Sequence, residues 1–282
     1  MPTILALAMT LSAPEARAAW PNDIDLEGMT EHDGAAVVTP LQEDYFELLR
    51  ELATAISTKP AMPAKTLGAY GFETTLSTTL VPITTEGDDG PGPWRRAHID
   101  EDPAAVMAIP SLNMRKGLPF STEVGAGLGW LGGSRQARIG AFGRIGLIEG
   151  YRPAPDLSLR VGYTAYVGND QLEVGVVDVG LCIGTTVPLG PKGMRNGRFS
   201  PWFDYTTMRV NAAPVIDDDT ADQIGALPVS ASQKTAQFQP AMIVPQLGGG
   251  LDIQRGNGLY RLTFTWAPTT IATVSLATGL AW

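Results

Sequence analysis

Two histidines, one cysteine and a few acidic clusters are the residues from which a reactive site could be built in this chain. His98 sits in Trp94-Arg95-Arg96-Ala97-His98-Ile99-Asp100, with Asp88 and Asp89 earlier in the same segment. An imidazole beside carboxylates is the pairing that general acid–base chemistry uses, but it needs a partner held in fixed geometry, which one shared loop rarely supplies. His32 lies far upstream, and no Gly-x-Ser-x-Gly nucleophile motif is present. Asp217, Asp218 and Asp219 with Asp222 form a carboxylate cluster suited to a hard cation such as Ca²⁺. The spacing lacks the central glycine and terminal glutamate of an EF-hand loop, and a solvated acidic surface is the default reading. Cys182 stands alone, which excludes an intrachain disulfide framework and a Cys-based metal site; it reads as a small apolar residue in a strand. No catalytic residue, metal ligand or cofactor is assigned, and catalysis is not expected.

A second set of charges has a different character. Glu123, Arg138, Arg144, Arg160, Asp178, Asp204 and Arg261 alternate with apolar neighbours, so each falls on the polar face of an extended segment. If the segments enclose a lumen, these charges either fill it as an ion-pair network or form a charged constriction. Small barrels pack their interiors with side chains, which favours the network. In a hairpin turning near Gly133, Glu123 and Arg144 fall nearly opposite each other. Gly125, Gly127 and Gly129 point inward on one strand. Inward glycines mark close approach of another group, here a plugging helix or a ligand, or else barrel curvature.

The elements that must position these residues follow from composition and period. Charged residues are 17% of the 282, against about a quarter in a soluble enzyme. Mean hydropathy is nevertheless close to neutral, and no run reaches the roughly 18 apolar residues of a spanning helix. Apolar content is therefore spread out, and 32 glycines with 22 prolines point to many strands and turns. The net charge of −9 argues against a nucleic-acid partner.

Residues 1–18 read as a signal peptide: an apolar run from Ile4 to Ala13, then the cleavage pattern Ala16-Arg17-Ala18, without a basic n-region. Segment 19–65 is periplasmic or a plug. Its spacing predicts a helix over 39–57, with Thr39 as N-cap, Pro40 at the first helical position and an apolar stripe from Leu41 to Ile56. From Leu67 the period becomes 2. Ten strands are expected near 66–81, 104–115, 119–131, 135–148, 157–168, 171–187, 198–210, 237–254, 258–267 and 270–282. Each is about as long as a tilted membrane strand.

A soluble sandwich also alternates, so three further features matter. The two long connections, 82–103 and 211–236, follow strands one and seven and fall on one side; connections on the other side are short. Aromatics including Tyr70, Phe72, Phe120, Trp130, Phe203, Trp266 and Trp282 gather at strand ends or on the apolar face, as in interfacial girdles. Finally, Ala272, Val274, Leu276, Leu280 and the terminal Trp282 alternate to the end of the chain, broken only by Thr278.

That ending resembles the C-terminal signature of Gram-negative outer-membrane β-barrel proteins. The resemblance covers residues 66–282 as architecture and names no subfamily. It implies an all-β antiparallel transmembrane barrel of about ten strands, eight to twelve, in the outer membrane, with Trp282, Leu280 and Leu276 read by the barrel-assembly machinery. Outer-membrane lipid and lipopolysaccharide are then partners, and a small apolar ligand is admitted. The His98 and acid grouping is similar to the rim site of outer-membrane aspartyl proteases, whose acids and histidine are spread over several strands rather than one loop. Two functions remain open. One is porin-like transport or binding of a small apolar molecule; the other is a structural or surface-interaction barrel with a filled lumen and partner-binding outer loops.

Overall fold

The structure is a computed structural model that describes residues 20, 22–32, 38–57, 62–87, 90–98, 103–151, 154–190, 197–214, 241–268 and 270–282. The export signal expected at 1–18 and the acidic cluster 217–222 lie outside the described residues.

Ten long strands form the wall: β1 (Phe72–Pro82), β2 (Val106–Leu118), β3 (Thr122–Trp130), β4 (Ala137–Ile148), β5 (Asp156–Val167), β6 (Leu172–Gly184), β7 (Gly197–Pro214), β8 (Ala241–Arg255), β9 (Gly258–Trp266) and β10 (Ala272–Ala281). Each pairs antiparallel with its sequence neighbour, and β10 pairs with β1, so the meander closes on itself. Closure removes the unpaired edges that an open sheet would expose. The seam is completed by Trp282, which exchanges two backbone hydrogen bonds with Phe72 and packs its indole against that ring at 5.6 Å.

The period-2 pattern sorts every strand into two faces. Leu76, Leu112, Leu128, Ile139, Val161, Val179, Phe203, Leu251, Leu262 and Leu276 point outward and are exposed, while Glu73, Arg115, Glu123, Arg144, Arg160, Asp178, Asp204 and Arg261 point inward and are buried. This inverts a soluble protein, and it is the distribution a barrel takes when lipid solvates its outside. Exposed Trp130 and Trp266 mark one end of the wall, and Tyr70, Tyr260 and Trp282 mark the other, where amphipathic rings suit a membrane–water interface.

Boundaries differ from the period-based reading in instructive places. Strand β1 starts at Phe72 because Gly68 takes a positive φ and turns the chain. Phe120 lies in the β2–β3 turn, where it and Ser121 both adopt left-handed φ values of 61° and 52°. Strand β7 runs on to Pro214 and β8 begins at Ala241, so the second long connection is 215–240. Connection 185–196 is no tight turn, because Val187–Leu189 folds back to pair with the start of β7.

Two α-helices are described: α1 (Gln42–Ile56) and the single turn α2 (Pro93–Arg96) in the β1–β2 connection. Helix α1 starts two residues later than its spacing suggested. Val38–Pro40 is held extended by pairing with Thr30–His32, which leaves Leu41, not Thr39, at the N-cap. The apolar stripe of α1 does what a 3.6-residue period implies. Tyr45, Leu48, Leu49, Leu52 and Ile56 are fully buried, in one cluster with Val81, Ile109, Tyr166, Val174, Val176, Met208 and Val210 from the inner wall. The helix therefore lies inside the barrel.

Candidate functional site

The lumen gathers the buried ionisable groups of the described residues, and it has two unlike halves. The half nearer the C-terminal rim holds an ion-pair ladder across β8, β9, β1, β2, β3 and β4. Asp252 on β8 accepts from Arg261 at 2.7 Å; Arg261 also reaches Glu73 at 3.1 Å. Glu73 accepts from Arg115, Arg115 donates to Glu123 at 3.1 Å, and Glu123 accepts from Arg144 at 2.9 Å. Glu123 and Arg144 are direct cross-strand partners in the register. A separate pair joins Arg160 to Asp178 on β5 and β6, with the Arg160 guanidinium 5.8 Å from the Phe142 ring centroid. Asp204 accepts from Thr206 at 3.1 Å. Carboxylate and guanidinium charges taken out of water require this kind of mutual compensation.

Of the sequence-assigned lumen charges, Glu123 and Arg144 join the ladder, Arg261 joins it at the far end, and Arg160 pairs with Asp178. Arg138 stands apart from the carboxylates. It donates to Ile56 O at 3.2 Å and to Ser111 Oγ at 3.0 Å, so a cation meets the negative end of the α1 dipole. Glu73, Arg115 and Asp252 were not singled out by sequence. Their alternation marks them as inward, but only cross-strand register reveals that they link the other charges.

The segment after α1 threads through the same half. Arg144 donates to Pro63 O and to Lys65 O at 3.1 Å, Cys182 lies against Met62 O at 3.8 Å, and Leu67 N donates to Glu123 at 3.2 Å. Thr66 bonds Glu149, and Gly68–Gly71 then delivers the chain to β1. A cavity of about 40 Å³ lies in this half, lined by Thr75, Ser77, Thr79, Asn113, Arg115 and Arg138. That is room for a few waters.

The inward glycines make room for side chains of adjacent strands, rather than for α1 or a ligand. A Cβ at Gly125 would overlap the Phe142 ring, one at Gly127 the Asn113 amide and one at Gly129 the Arg138 guanidinium. Gly162 likewise lies under Asp178, and Gly248 under Asp204. Long side chains thus lie flat on the wall over glycine backbone and leave the lumen axis to the N-terminal segment.

The other half is apolar and is capped at the mouth. Glu51 of α1 is fully buried and accepts three hydrogen bonds: from Trp94 Nε1 at 2.6 Å, Thr84 N at 3.0 Å and Thr84 Oγ1 at 2.5 Å. Burial is the largest influence on this carboxyl and raises its pKa above the free value of 4.5, against the lowering effect of the three donors. Arg96 pairs with Asp44 at 3.0 Å in a part-exposed setting. His98 Nδ1 faces Trp94 O at 2.5 Å; burial is the largest influence and lowers its pKa, against the raising effect of that carbonyl and of Asp23 and Asp25. Asp88, Asp89 and Asp100 lie outside the described residues. Among the described residues, no group of three His, Cys, Asp or Glu side chains could hold a metal ion.

A closed ten-stranded meander with an apolar outside and a charged inside is the fold of the Gram-negative outer-membrane barrels. No known family and no curated protein matches the chain. Among solved structures, the chain is similar to the translocator domain of the autotransporter NalP from Neisseria meningitidis at 10% identity and a TM-score of 0.34, covering 85% of this chain and 96% of that one. It is similar to the outer membrane protein Omp33 of Acinetobacter baumannii at 10% identity and a TM-score of 0.29, covering 76% and 98%. It is also similar to the attachment invasion locus protein Ail of Yersinia pestis, solved with the heparin analogue sucrose octasulfate, at 8% identity and a TM-score of 0.26, covering 76% and 99%.

Proposed function

We propose that this protein is a sealed outer-membrane barrel that acts through its outer face, as a structural or surface-interaction component, and not through its lumen. The observation that carries this reading is the double filling of the barrel. An apolar core built on α1 occupies one half, a continuous ion-pair ladder with residues 62–67 occupies the other, and the cavity beside the ladder is of water size. The alternative, passage of a small apolar molecule, drew on the glycine-rich wall of β3. That wall is covered by Phe142, Asn113 and Arg138, which weighs against it.

On this reading the C-terminal rim faces the periplasm, and the two longest connections, 83–105 and 215–240, both join strand ends opposite that rim and face outward, the side on which outer-membrane barrels carry their long loops. Outer-membrane lipid and lipopolysaccharide contact the apolar band. The barrel-assembly machinery would read Leu276 and Leu280 on β10 and Trp282 just after it, all three exposed.

The test is reconstitution of the purified, heat-modifiable protein into liposomes and planar bilayers. Solute and fatty-acid uptake equal to that of empty vesicles, with no conductance steps, is the expected result. Uptake or conductance above the empty-vesicle level would overturn the sealed-lumen reading in favour of passage.

A further inference from the structure

The ion-pair ladder is balanced, and one guanidinium beside it is not. Within the ladder, Arg115, Arg144 and Arg261 meet Glu73, Glu123 and Asp252, one carboxylate for each cation. Arg138 is equally buried, but among the described residues no carboxylate pairs with it. Its acceptors are neutral: Ile56 O at 3.2 Å, Ser57 O at 3.5 Å and Ser111 Oγ at 3.0 Å. The C-terminal end of α1 supplies only about half a negative charge. A buried cation without a full counter-charge is costly.

Arg138 also lines the 40 Å³ cavity, together with Arg115 and Arg261 and a single carboxylate, Glu73. The rest of that lining is rich in donors. Arg115 keeps a buried Nε–H that meets no acceptor among the described residues. Asn113 Nδ2 donates to Ser77 Oγ at 3.1 Å, so the Ser77 hydroxyl keeps its own proton for another acceptor. Thr75 and Thr263 bring two further hydroxyls to the wall. A water needs about 10–15 Å³ of such space, so a monatomic anion fits with a water or two beside it.

We propose that this cavity is a binding site for one halide ion, chloride under ordinary conditions, held by Arg138, Arg115 and the Ser77 hydroxyl. A monovalent anion cancels the surplus charge of Arg138, whereas a dianion such as sulfate would overshoot it. The ion is a structural part of the lumen, and its site stands whichever face of the barrel acts.

The test is refolding of the purified barrel in detergent at fixed ionic strength, with chloride replaced stepwise by gluconate, which is too large for the cavity. Urea unfolding is read at each chloride level. A ligand that binds only the folded state lowers the unfolding constant about tenfold for each tenfold rise in its concentration above Kd. That dependence is expected in the wild type and is expected to vanish in R138Q, once the heat-dependent gel shift shows that the variant folds. Independently of any variant, wild-type protein refolded and crystallised in bromide should give an anomalous peak between Arg115 and Arg138; should R138Q fail to fold, this peak decides alone. Wild-type stability indifferent to chloride, an equal dependence in R138Q, or bromide crystals without the peak overturns the proposal, with water alone filling the cavity.

Discussion

Replacing Glu51 tests whether the mouth is held shut by one buried carboxylate. In E51A, Trp94 Nε1, Thr84 N and Thr84 Oγ1 lose their acceptor. A buried donor left unsatisfied costs about 1–3 kcal/mol. Taking about 1 kcal/mol for each, because the loop is near water, gives about 3 kcal/mol, or roughly a 100-fold rise in local opening. The Arg96–Asp44 pair cannot compensate, since part-exposed ion pairs are worth about 0.2–1 kcal/mol. In E51Q the amide oxygen can accept from Trp94 Nε1 and Thr84 N, and Thr84 Oγ1 can rotate to accept from the amide nitrogen, so opening stays near wild type. The pH dependence has a defined sign. The folded pKa of Glu51 lies above the free value of 4.5, so the closed mouth binds more protons than the open one in the window between them. The contribution is fully present below 4.5 and is lost as pH rises through the folded pKa; E51Q abolishes the dependence. The assay is hydrogen exchange at the Thr84 amide and the Trp94 indole in detergent micelles, where local opening is read apart from barrel unfolding. Equal exchange in E51A and wild type, or E51Q opening as much as E51A, would refute the reasoning.

Two further outcomes follow from the lumen. G125A drives a methyl into the Phe142 ring and should cost about 1–3 kcal/mol as overpacking; with F142A present, most of that cost disappears. Urea midpoints of the two single variants and the double variant should show a coupling of about 1 kcal/mol or more, and simple additivity would count against the close packing. R115M breaks the ladder between Glu73 and Glu123 but leaves each carboxylate one other guanidinium, Arg261 and Arg144. A loss of about 3 kcal/mol, at the low end for a broken buried pair, should appear in the same urea assay, and an unchanged midpoint would mean that the ladder is not energetically connected.

Much of the wall was legible in the sequence because lipid imposes a local rule. Every second residue of a spanning strand must be apolar, so the faces of Val161, Gly162 and Tyr163 can be read three residues at a time. Helix α1 was legible for the same reason, from the 3.6-residue stripe of Tyr45, Leu48, Leu49 and Leu52. Its first turn was not, because Val38–Pro40 is held extended by a contact with Thr30–His32 that has no local signal.

Apart from the Glu123–Arg144 rung, which hairpin register foretold, the ladder lay beyond the sequence's reach. Glu73 and Arg261 are 188 residues apart and meet only because β10 pairs with β1 and closes the wall. The inward glycines gave an ambiguous signal, since a missing Cβ states that something approaches and not what does; Phe142, Asn113 and Arg138 were settled by register. The sequence alone determined that there would be about ten alternating strands, an apolar outside and one amphipathic helix, because those depend on neighbours a few residues away. Tertiary structure decided which charges pair and that α1 fills the lumen. Those depend on closure, which joins residues from opposite ends of the chain around a shared interior.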